Sequence, residues 1–168
     1  MAQKKTVTAT ITMDELLYDI TNETYLRGKT VQDDKNYKAV ANMFASLDEE
    51  NQDKILRSIK RAFTEVKAEL AEYLSEDGTA TDNALISPDD DLVLTLTMPS
   101  NFNEAATAGI AEAVHDYIRN AAVSDWYLVT NKADAADYVA LAARSLENIR
   151  KAVSKRSRPM RRAASQNA

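Results

Sequence analysis

The chain contains no cysteine. That excludes disulfides, thiolate metal sites and cysteine nucleophiles. Glycine and proline are scarce, at three each. Few glycines means few left-handed backbone positions, so long helices are favoured over a turn-rich β-sandwich. The glycines are also isolated, so no loop is built to cradle a phosphate. There is no dinucleotide-binding fingerprint, zinc-finger spacing, His-Glu-x-x-His or Gly-x-Ser-x-Gly elbow. No apolar run approaches the ~20 residues that span a bilayer, so no membrane partner is expected. The opening "MAQKKTVTAT" has two lysines with no apolar run after them, which argues against a signal peptide. The expected setting is the cytoplasm of the cell that makes the protein, or a particle assembled there.

What is present suits one domain. A length of 168 residues is enough for a real core. The net charge of −5 conceals an asymmetry. Residues 150–168, "RKAVSKRSRPMRRAASQNA", hold seven basic side chains and no acid. The other 149 residues hold 14 basic and 26 acidic side chains, a charge of −12. A cationic tail on an anionic body points to an interaction arm.

Hydrophobic periodicity gives the elements. Val7, Ala9, Ile11 and Met13 alternate with threonines, which predicts a strand over about 6–13. "TMDE" from Thr12 has the pattern of a capping box, so a helix should follow and end near Gly28. A second helix is predicted over about 34–46. A third, of about 25 residues, carries Ile55, Ile59, Ala62, Phe63, Val66, Leu70 and Leu74 on one stripe and stops at Gly78. Residues 75–91 form a polar connection, long for a compact domain. Leu92, Leu94, Leu96 and Met98 then predict a strand over 92–98, closed by Pro99. Ser100 or Asn103 can cap a helix over about 104–122, which "DWYLV" continues or bends. A last helix spans about 132–153.

The expected fold is α+β and predominantly α-helical, with about five helices and one or two short strands. The strands of two strand-then-helix units would pair into one small sheet. Residues 1–153 form a single domain: a helical first half over 1–74, the polar connection, and a second half over 92–153. Residues 154–168 form an extended basic C-terminal arm.

Candidate functional residues are few. His115 is the one histidine, and it follows an inward Val114 on a polar flank, the setting of a surface or boundary histidine. Asp89, Asp90 and Asp91 offer oxygen ligands but lack the spacing and glycine of a calcium loop, so they read as solvated. Trp126 and Tyr127 lack the aromatic strand platform that stacks nucleobases. They read as packing between the last two helices or as a subunit contact. No catalytic, cofactor-binding or metal-binding residue is assigned, and the chain is not expected to be an enzyme. Arg150 and Lys151 suit the end of a helix, where cations meet the dipole. Lys155, Arg156, Arg158, Arg161 and Arg162 do not share that explanation, because Pro159 should have ended the helix. These five are the candidate partner-binding residues.

The second half carries a resemblance. The strand with "MPSNFN", the "HDYI" helix, "DWYLVTNK" followed by "ADAADYVALAA", and the basic "KRSRP" resemble virion structural proteins of tailed phages and prophages of Bacteroides-type bacteria. The layout is similar to head–tail connector proteins, small helical subunits that form a ring below the portal. The resemblance implies a neck-ring subunit in the virion, assembled in the host bacterial cytoplasm. Its implied partners are further copies of the chain, portal and tail or neck proteins, and packaged DNA within reach of the arm. The alternative is a nucleic-acid-binding accessory protein whose tail grips phosphate.

Overall fold

The computed structural model describes residues 3–75 and 82–159. Among these the chain is an α+β structure, predominantly helical, with five helices and a two-stranded antiparallel sheet. The order is β1 (Lys5–Ile11), α1 (Met13–Val31), α2 (Tyr37–Ala41), α3 (Glu49–Glu69), β2 (Leu92–Met98), a 3₁₀ turn at Glu104–Ala106, α4 (Thr107–Thr130) and α5 (Lys132–Val153).

Period two decides the sheet. β1 pairs with β2 from Lys5↔Met98 to Ile11↔Leu92. Val7, Ala9 and Ile11 share one face with Leu92, Leu94, Leu96 and Met98, and all seven are buried. That face meets α4, the central element, which also packs on α5, α3 and α1. One continuous core results, with both halves of the chain contributing to it. Five of the six outward residues in the register are threonines, in the pairs Thr6↔Thr97, Thr8↔Thr95 and Thr10↔Val93.

Several elements differ from the sequence reading. The first strand ends at Ile11, because Met13 already opens α1. The capping box does not form: Thr12 stands at the N-cap position without a side-chain bond. Asp91 supplies the acceptor instead, taking the Met13 N–H at 3.0 Å from 78 residues away. A carboxylate there also meets the positive end of the helix dipole. Nor does α1 end at Gly28. Gly28 lies inside the helix, where a Cβ would run into the Phe44 ring.

The predicted helix over 34–46 shrinks to the five residues of α2. Tertiary partners compete for its backbone. The Ala45 N–H donates to Thr24 Oγ1 (3.0 Å), and the Met43 carbonyl accepts from Trp126 Nε1 (2.9 Å). In the same way α3 stops at Glu69 rather than reaching Leu74. Residues 73–75 turn to pair with β2 instead: Thr97 N–H donates to Tyr73 O (2.6 Å) and Ser75 N–H to Thr95 O (3.1 Å). The predicted stop at Gly78 lies outside the described residues. The helix expected over 104–122 begins as a 3₁₀ turn capped by Asn103, whose side chain accepts from Ala105 N–H, and then continues unbroken to Thr130.

Candidate functional site

The C-terminal arm begins later than its charge suggests. After α5, residues 155–157 return to the loop at 101–103. Asn103 N–H donates to Lys155 O (3.2 Å), and Ser157 N–H donates to Asn101 O (2.8 Å). Arg156 forms an antiparallel bridge with Phe102, and its guanidinium donates to the Val153 carbonyl at 2.8 Å. Arg156 therefore serves the α5 terminus, where an unpaired carbonyl and the dipole favour a cation. Lys155, Arg156 and Arg158 are all exposed. Arg161 and Arg162 lie outside the described residues. Arg158 and Pro159, the last described residues, make no hydrogen bond to the body among the described residues.

Trp126 and Tyr127 are turned into the protein. Trp126 packs against the segment after α2 through its bond to Met43. Tyr127 meets Tyr138 of α5 edge-on, with ring centroids 5.4 Å apart. Burial pushes the Tyr127 hydroxyl up to about 12.

His115 stands at the edge of a cleft of about 400 Å³ between β1, α1 and α4, lined also by Glu15, Asp19, Glu112, Asp116 and Arg119. Its Nε2 lies 2.9 Å from Asp19 Oδ2. No serine or threonine hydroxyl bonds the ring among the described residues, so the nucleophile of a triad is not brought to it. Asp89, Asp90 and Asp91 do not converge either. Asp91 caps α1, and Asp89 bonds Ser87 through its own N–H. Among the described residues no group of three acids or histidines is arranged to hold a metal ion.

The remaining polar clusters join helix to helix. Arg27 of α1 clamps Asp134 of α5 with two bonds of 2.7 Å. The Asp134 carboxyl is lowered by these bonds, with a further bond from Asn131. Asp125 of α4 receives Ser58 and Arg61 of α3. Burial alone would raise Asp125, but these two donors outweigh it and hold the carboxyl below its ordinary value. Arg150 of α5 spans Glu69 of α3 and Glu147. The links between helices, Arg27–Asp134, Ser58–Asp125, Arg61–Asp125 and Arg150–Glu69, were not read from the sequence, because each joins residues far apart in the chain.

Among the described residues, two apolar faces stay open on the long helices. Tyr18, Tyr25 and Leu26 are exposed along α1. The second face is a groove of about 330 Å³ where α3 and α5 diverge over α4, with Ala121 and Leu128 on the α4 side and Val139, Ala142, Ala143 and Leu146 on the α5 side. Beyond it, Val129 is 76% exposed. The chemistry on offer is contact: apolar helix faces, ion-paired seams and a cationic chain end. Compared with protein-family models, curated proteins and solved structures, the chain matches none of them.

Proposed function

We propose that this chain is a structural subunit of a phage head–tail connector or neck ring, held by lateral helix contacts and by its basic C-terminal arm. The observation that carries the reading is the pair of unlike apolar faces, one on α1 and one in the α3–α4–α5 groove. Head-to-tail closure of a ring needs two different surfaces on each subunit. Scattered exposed apolar residues are ordinary, but large ones grouped on a helix face mark contact sites. The proposal takes up the resemblance to virion structural proteins read in the second half of the sequence. The proposed partners are further copies, the portal, and tail or neck proteins. The proposed location is the virion.

Purified protein mixed with portal should form rings visible by negative-stain microscopy. A chain truncated after Pro159 keeps the clip at 155–157 and loses Arg161 and Arg162, and it should join the portal far more weakly. A chain that stays monomeric beside the portal overturns the proposal.

The second reading, a nucleic-acid-binding accessory protein, is favoured by the exposed Arg158 just beyond the clip at 155–157. It requires DNA affinity that falls steeply with salt and is lost on the same truncation. Absence of DNA retention at low salt removes it.

A further inference from the structure

One edge of the sheet has nothing paired to it among the described residues. Residues 73–75 occupy the far side of β2 through Thr95 O and Thr97 N–H. Odd-numbered residues of β2 therefore point their backbone groups away from β1, and even-numbered ones point toward it. The register pairs those even residues with Lys5, Val7, Ala9 and Ile11. By the same alternation, Thr6, Thr8 and Thr10 turn both N–H and C=O outward. All three are exposed, and none has a hydrogen-bond partner among the described residues.

Protected edges carry proline, a bulge or an inward charge. Thr6 to Ile11 has none of these. The threonines and β-branched residues instead favour further pairing.

Charge along the edge differs at its two ends. Lys4 and Lys5 lie at the start of β1, with Lys5 held by Glu104 at 2.8 Å. At the far end, Thr10 and Thr12 border the cleft of Glu15, Asp19, Glu112 and Asp116. Asp19 and Asp116 are bonded to His115 and Arg119, whereas Glu15 and Glu112 have no ion-pair partner among the described residues. An edge that is basic at one end and acidic at the other is complementary to itself under a two-fold rotation.

We propose that two copies of the chain pair through the open edge of β1, antiparallel about Thr8, to form one continuous four-stranded sheet. Thr8 then faces Thr8 of the second copy, and Thr6 faces Thr10. Each outward N–H meets a C=O across the axis. Lys4 falls beside Thr12 and the acidic end of its mate. A parallel arrangement would set Lys4 against Lys4, so the charges choose the antiparallel one. The threonine face extends across the junction, where Thr–Thr pairs are favourable. The pairing does not rest on the neck-ring reading, because it uses neither the arm nor the apolar helix faces.

The test is sedimentation of the free chain, without portal, beside two variants. Thr8→Pro removes an outward N–H while leaving the β1–β2 bonds intact. Thr8→Lys keeps every backbone group and places like charges across the axis. The wild type should sediment with twice the chain mass, and both variants as monomers with unchanged circular dichroism. Hydrogen exchange supplies a second readout: the amides of Thr6, Thr8 and Thr10 should gain protection as concentration rises. A monomeric wild type, or variants that remain dimeric, overturns the proposal. So does a dimer lost on truncation after Pro159 but kept in Thr8→Pro, since the arm would then be the occupant.

Discussion

Replacing Trp126 by phenylalanine separates packing from subunit contact. The side chain is 6% exposed, and its Nε1–H is the donor to the Met43 carbonyl. Phenylalanine keeps most of the apolar contact but removes that donor. Removing the donor leaves a buried carbonyl unpaired, which costs about 1–3 kcal/mol. The smaller ring removes roughly 40 Å² of buried apolar surface, which adds about 1 kcal/mol. The sum is about 2–4 kcal/mol. For a chain of this size that corresponds to a fall in Tm of roughly 5–15 °C. Trp126 is the one tryptophan, so fluorescence would be lost with it, and circular dichroism in urea is the suitable assay. The midpoint should fall with an unchanged slope, because the exposed surface on unfolding is the same. A loss below about 1 kcal/mol together with loss of self-association would refute the reasoning and make Trp126 an interface residue.

Other expectations concern long-range polar contacts. Asp91→Ala should destabilise the fold by about 0.5–2 kcal/mol, because α1 loses its N-terminal acceptor; Asp91→Asn should recover most of this in a urea melt, and equal losses in both variants would assign the effect to charge alone. Stability should fall as pH drops below about 4. Asp125 and Asp134 are held low in the fold, so the unfolded chain binds more protons in that window and the stabilisation present above it is lost. Asp134→Asn should flatten this dependence. The reverse holds above about pH 10, where Tyr117, Tyr127 and Tyr138 are raised in the fold and the unfolded chain releases its protons first. Calorimetry across both windows measures each slope.

The long elements were legible because burial imposes a period that the sequence displays. Leu92–Met98 and the stripe on α5 are set by alternation at two and near 3.6, and the structure places both within the predicted bounds. The region 34–46 had a helical pattern yet keeps only Tyr37–Ala41. Helical propensity there is worth tenths of a kcal/mol per residue, less than the buried bonds from Thr24 and Trp126 that replace the helix ladder. Capping failed for the same reason. Thr12 and Glu15 have the right spacing, but Asp91 is brought to the helix start by the pairing of β1 with β2.

The candidate site divides along this line. The basic composition of 150–168, the end of α5 at Val153 and the strand character of β1 follow from local pattern and charge. Only the tertiary structure decided that Lys155–Ser157 clips to 101–103, that Trp126 and Tyr127 turn inward, and that Thr6, Thr8 and Thr10 line an edge left unpaired among the described residues. Local sequence fixes which face of a residue prefers water. Which backbone groups find partners depends on segments far away in the chain, and that is a property of packing alone.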